Sequence, residues 1–212
     1  MKGKFCALFL ALALSASPLG VFADGPTRAG TPEELAAAAA DPDCSVIELT
    51  ADITLSAPLS FERPVTLQSA EAGSFAILAD PAFPDDQNLV TFTAGGVLRD
   101  LTLNASARAK YAVHAYNCAL EVSGCRLEGG RYRGLLVNGA NASASVADTA
   151  FANNTWAAIE VGSGSAGTPA YGCLALGSGI TWDNALVQAD ISGADPWAGR
   201  YVVTDQNYTF PA

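Results

Sequence analysis

The stretch LVTFTAGGVLRDLTLNASARAKYAVHAYNCALEVSGCRLEGGRYRGLLVNGANASASVADTAFANNTWAAIEVG, residues 89–162, decides the fold. Val90, Val113, Leu136 and Ile159 recur every 23 residues, and Phe92, Ala115, Asn138 and Val161 keep the same step, so each coil reads as opening on a short strand. Further columns recur every 24 residues: Leu98, Val122 and Val146; Leu101, Cys125 and Thr149; Leu103, Leu127 and Phe151. A repeat of this length signals stacked units that bury their apolar faces only against their neighbours. The segments between turn residues are strand-length, and no helix-length periodic run interrupts them, so the stack is built of short strands.

On these columns the chain resembles the right-handed parallel β-helix of the pectate-lyase-like class, over roughly residues 45–185. The resemblance implies an all-β fold, a β-solenoid of about six coils, forming a rod of about 30 Å at the strand spacing of β structure. Catalytic members of that class carry acidic residues on adjacent coils. Polygalacturonase-like hydrolases have an Asn-x-Asp, Asp-Asp and Gly-His-Gly set, and pectate lyases have clustered Asp ligands for calcium and an Arg base. Here Asp85-Asp86 stands without an accompanying His or Asn-x-Asp, and Asp183-Asn184 stands alone. The resemblance therefore carries the fold and not the activity.

Outward from the repeats, residues 46–49, 53–55, 59–61, 65–67 and 75–78 are short β-type runs separated by polar or Pro punctuation, and make the first coil or two. Before them, Thr31-Pro32-Glu33-Glu34 combines an N-cap, Pro at the first helical position and Glu three residues after the cap. It predicts a short helix that ends at Asp41-Pro42 and covers the open edge of the first coil. Residues 80–86, rich in Pro and Asp, read as a loop projecting before Leu89. Past Tyr171 the pattern weakens, and Trp182, Trp197, Tyr201 and Phe210 suggest an aromatic closure. The expected organisation is a signal peptide over 1–23, a lead and capping helix over 24–44, the solenoid over 45–185 and a C-terminal cap over 186–212.

The signal peptide reading rests on Lys2 and Lys4, the apolar run from Phe5 to Leu14, and the small-residue site Val21-Phe22-Ala23. The run is too short to span a bilayer, so a secreted or extracytoplasmic protein with no membrane span is expected. A net charge of −10 over 212 residues argues against nucleic acid and anionic membrane as general partners, because phosphate contacts need a basic surface. Removal of the leader leaves Cys44, Cys118, Cys125 and Cys173. Cys125 and Cys173 fall in one column two coils apart, about 9.6 Å, too far to bridge, which favours buried free thiols over disulfides. With no Cys-x-x-Cys pair and His114 the only histidine, neither a metal site nor a cofactor is expected.

Several constellations invite a chemical reading. Residues 162–167 match the dinucleotide glycine fingerprint, but a β-type run follows where that motif needs a helix. Asp100 and Asp148 share a column with Gly124 between them, and Asp, Gly, Asp in one slot fits a turn better than a carboxylate pair. His114 and Glu160 point outward two coils apart with Val137 between them, too far for an acid/base dyad. The strongest candidate is one corner of the solenoid. Counting from the 23-residue column stacks Lys110, Arg133 and Trp156, with Arg108, Arg131 and Asn154 beside them and Tyr111 and Tyr132 adjoining. Four cations in an acidic chain make a local positive field, and the rings can stack on sugar faces. The first functional reading is thus a non-catalytic protein binding carbohydrate, an acidic polysaccharide or another cell-surface glycan. A small polysaccharide lyase or glycoside hydrolase is the alternative, and a purely structural surface module the third.

Overall fold

The structure, a computed structural model, describes residues 25–73, 75–191 and 198–204. It is a parallel β-solenoid of about seven turns, one more than the repeat count suggested. One sheet has eight strands: Thr27–Ala29, Val46–Leu49, Val65–Ser69, Gly96–Arg99, Ala119–Ser123, Ser143–Ala147, Leu174–Leu176 and Val202–Thr204. A second has six: Leu59–Phe61, Val90–Phe92, Tyr111–Tyr116, Arg133–Asn138, Ala157–Gly162 and Ala185–Asp190. The third has five: Ile53–Leu55, Ala76–Ala79, Thr102–Asn104, Arg126–Glu128 and Ala150–Ala152. Strands therefore lie on both sides of the 45–185 span. Every pairing between them is parallel, as it must be when each coil lays its strands on those of the coil before.

The 24-residue columns are ladders of the core. Leu67, Leu98, Val122, Val146 and Leu176 stack inside the eight-stranded sheet, and Leu103, Leu127 and Phe151 inside the five-stranded one, all with little or no exposed surface. Each rung buries an apolar side chain on the rungs above and below, which is why no single coil could hold its shape alone.

The 23-residue column is out of register. Val113 pairs with Val90 at a step of 23, then with Leu135 at 22, and Leu135 pairs with Ile159 at 24. Leu136 instead lies between His114 and Glu160, the slot assigned to Val137. Corner lengths explain this. The turn before Tyr111 holds six residues and that before Arg133 four, while the turn after Tyr116 holds two and that after Asn138 four. The two changes cancel, so columns outside the six-stranded sheet keep 24 while those inside it drift.

The helix Pro32–Ala40 forms where its capping residues predict. Thr31 Oγ1 accepts the Glu34 N–H at 3.2 Å, and the Glu34 carboxylate reaches back to the Gly30 N–H at 2.7 Å. Leu35 and Ala38 are buried in the core, and Arg63 donates to the carbonyls of Ala38 and Cys44, fastening the far end of the helix.

Asp100 (φ 55°), Gly124 (φ 62°) and Asp148 (φ 46°) all adopt the left-handed backbone expected of a turn column, and Gly179 (φ 73°) extends it. The alternation is steric. A Cβ at Gly124 would run into Asp100 Oδ1, and one at Gly179 into Asp148 Oδ1, so each Asp side chain lies over a glycine in the next coil.

Cys44, Cys118, Cys125 and Cys173 are all free and buried. Cys173 leaves the column of Cys125, because the long connection after Gly162 moves it to the eight-stranded sheet, where its carbonyl accepts the Ala144 N–H. The stack continues past Tyr171, with Tyr201 buried and Trp182 exposed. Residues 1–23, expected to be a signal peptide, and Trp197 and Phe210 of the expected aromatic closure lie outside the described residues. Among the described residues no helix is long and apolar enough to cross a membrane.

Candidate functional site

The corner between the five- and six-stranded sheets is set by backbone hydrogen bonds from coil to coil. Tyr132 N–H donates to the Lys110 carbonyl at 3.0 Å and Trp156 N–H to the Tyr132 carbonyl at 2.9 Å, so Lys110, Tyr132 and Trp156 form one row. That row is shifted by one residue from the expected Lys110, Arg133 and Trp156, for the register reason given above. Its consequence is an aromatic stack: the rings of Tyr132 and Trp156 lie 4.6 Å apart at 6°. Trp156 is 51% exposed, and Tyr111 meets Tyr132 edge-on at 5.8 Å. Asn154 is buried instead of facing solvent, its amide bonded to Gly130 N–H and the Leu127 carbonyl.

Arg133 moves to the outer face of the six-stranded sheet. Ala112 and Val113 are consecutive core residues, as are Ala158 and Ile159, and a Cβ at Gly134 would meet the buried Phe151 ring. Two successive inward positions break the period-two alternation, so Tyr111 and Arg133 face the same side as His114 and Glu160. There Arg133 Nη1 lies 2.5 Å from Glu160 Oε2, Tyr111 donates its hydroxyl to the same oxygen at 2.7 Å, and Arg133 Nη2 donates to Gln188 Oε1 at 2.6 Å. The guanidinium also sits 4.6 Å from the centre of the Trp156 ring. Arg133 is 3% and Glu160 5% exposed.

Burial raises the Glu160 carboxyl above its ordinary value, with a smaller push from Asp190, against the Tyr111 hydrogen bond and the Arg133 charge. Burial, reinforced by the Glu160 charge, likewise holds the Tyr111 phenol protonated, which suits its role as donor. His114, beside Tyr116 as expected, is bonded at both nitrogens: Nε2–H donates to Asn138 Oδ1 at 2.7 Å and Nδ1 accepts from Asn88 Nδ2 at 3.0 Å. Burial lowers its pKa, keeping the ring neutral.

The remaining cations meet the Pro- and Asp-rich loop. Asp85 lies 3.2 Å from Arg108 and 3.6 Å from Arg131, and Asp86 lies 3.7 Å from Lys110. Phe83, fully buried, anchors this loop, which lies on the corner instead of simply projecting from the coil. The structure thus gathers Arg108, Lys110, Tyr111, Arg131, Tyr132, Arg133 and Trp156 on one side of the rod, with Arg133 against the Trp156 ring and Tyr111 against Tyr132. Sequence reasoning missed Glu160, Gln188 and Asp85 as partners. Glu160 and Asp85 were visible as outward or loop acids, but their partners lie one or two coils away in the chain, beyond any local pattern.

At residues 162–167 the backbones of Gly164 and Gly167 bond to each other at 3.1 and 2.9 Å in a tight turn, and no helix follows to receive a pyrophosphate. No group of three or more His, Cys, Asp or Glu among the described residues is disposed to hold a metal ion. Compared with protein-family models, curated proteins and solved structures, the chain matches none of them.

Proposed function

We propose that the chain is an extracytoplasmic, non-catalytic β-solenoid that binds an acidic glycan at the corner of Arg108, Lys110, Arg131, Tyr132 and Trp156. The observation that carries this is the half-exposed Trp156, held flat on Tyr132, with Arg131 and Lys110 on the two preceding coils of the same corner. A half-exposed ring held by the Tyr132 stack and by the Arg133 guanidinium over it is a rigid apolar surface, and rigid aromatic surfaces suit the C–H faces of sugars. Arg and Lys next to it can take the carboxylates of such a chain. Arg133 holds the Trp156 ring and Tyr111 braces Tyr132, both fixed by Glu160. The leader-like residues 1–23 are the basis for placing the protein outside the cytoplasm.

A lyase or hydrolase is the second reading, favoured by one observation: Glu160 is a buried carboxyl with a raised pKa, and such groups concentrate at functional sites. Its oxygen is already engaged by Tyr111 and Arg133, which suits a structural ion pair better than a proton donor. A panel of acidic and neutral polysaccharides, assayed for both retention and release of unsaturated or reducing ends, separates the two. Retention of acidic chains without release is expected. Product release that Glu160→Gln abolishes would overturn the non-catalytic reading.

A further inference from the structure

Resting on that reading, we infer that the loop of residues 80–88 is a carboxylate latch, with Asp85 occupying the place of a carboxylate of the bound glycan. The two Asp85 oxygens are divided between guanidinia of successive coils, Oδ1 to Arg108 and Oδ2 to Arg131, and its backbone carbonyl accepts from Arg131 Nη1 at 2.9 Å. This is how two stacked arginines would hold a uronate carboxyl. Asp86, 87% exposed on its side chain, does the same more loosely for Lys110.

The loop is fixed at both ends and open at its tip. Phe83 is buried on one side; on the other, the Gln87 carbonyl accepts the Lys110 N–H at 2.8 Å and Asn88 bonds His114. Only Pro84, Asp85 and Asp86 lie between these anchors, so the tip can lift while the frame stays. Exposed ion pairs are weak, and exchanging one carboxylate for another conserves the pair. A polyanionic glycan can therefore replace the latch, whereas a neutral glycan offers the released arginines hydroxyl acceptors but no compensating charge. The latch makes the corner selective for carboxylate-bearing chains.

The test uses an oligomannuronate and its carboxyl-reduced counterpart, with the full chain and an Asp85→Asn, Asp86→Asn variant, by calorimetry at low salt. The variant is expected to bind the oligomannuronate about three- to tenfold more tightly, with no gain for the reduced glycan. Equal or weaker binding than the parent overturns the latch. A second readout needs no ligand: an Asp-specific endoprotease should cut the tip faster in an Arg108→Gln, Arg131→Gln variant than in the parent. Equal cutting overturns the latch by itself. Binding by the parent with no gain in the variant overturns the latch alone, whereas no glycan bound by any form defeats the binding reading and the latch that rests on it.

Discussion

The phenol of Tyr111 reaches across two coils to donate to Glu160 at 2.7 Å, passing the guanidinium of Arg133 on the intervening strand. Two coils span about 9.6 Å, too far for an imidazole and a carboxylate in line, but a tyrosine side chain offset from the column covers it. The pair ties three coils together on the outside of the sheet, where a solenoid has no core to do so. Removing one charge should be costly: Glu160→Ala or Arg133→Ala is expected to lose about 3–5 kcal/mol, and Tyr111→Phe about 1–2 kcal/mol. Arg133→Met combined with Glu160→Leu should recover most of the loss. Urea unfolding of the four variants checks the order, and a double variant as unstable as either single would contradict it.

The same cluster gives stability a pH dependence with a definite sign. Glu160 is raised above its ordinary 4.5, so the folded chain holds this proton more tightly than the unfolded one. Its contribution is fully present below about pH 4.5 and is lost as pH rises through the raised value. His114 is lowered from 6.5, so its contribution is present above about pH 6.5 and is lost as pH falls through its folded value. Melting temperatures of the parent, Glu160→Gln and His114→Gln across this range should show each variant lacking one of the two slopes. Parallel curves for all three would contradict the assignment.

The turn column offers a steric test. Gly124→Ala places a Cβ at positive φ against Asp100 Oδ1, and a loss of at least about 1–2 kcal/mol is expected. Asp100→Gly in the same chain should return the steric part, giving a coupling energy of about 1 kcal/mol. Strict additivity of the two substitutions in thermal unfolding would show that the side chain and the glycine are independent.

All four described thiols should resist alkylation until the chain unfolds. Burial lifts Cys125 and Cys173 to about 11 and also raises Cys118, so little thiolate is present at neutral pH. Mass spectrometry after alkylation with and without denaturant counts them. A pair that stays unmodified in denaturant until reductant is added would reveal a disulfide that the free-thiol arrangement excludes.

These tests bear on features of unequal visibility in the sequence. The columns Leu98, Val122, Val146 and Leu103, Leu127, Phe151 were legible because core positions repeat whenever coils have equal total length. The helix was legible because Thr31, Pro32 and Glu34 carry their own local signals. The face holding Arg133 was not, because two corner turns exchange two residues and conceal the step from 22 to 24. Alternation also fails at Ala112 and Gly134, which turns a residue placed in a solvated row into a buried ion-pair partner. The corner composition was readable, while the pairing of Asp85 with Arg108 and Arg131 required the fold.

Binding of an acidic oligosaccharide as salt is raised, compared between the parent, Trp156→Ala and Arg131→Ala, decides whether this corner holds a glycan. The parent should bind at low salt and weaken as salt rises, because exposed cations are screened over about 10 Å at 0.1 M. Trp156→Ala should bind about fivefold or more weakly at every salt concentration, since a stacked ring is worth about 1 kcal/mol. Arg131→Ala should show both lower affinity and a shallower salt dependence. Identical affinities and identical salt dependence in all three proteins would contradict the assignment of this corner as the binding site.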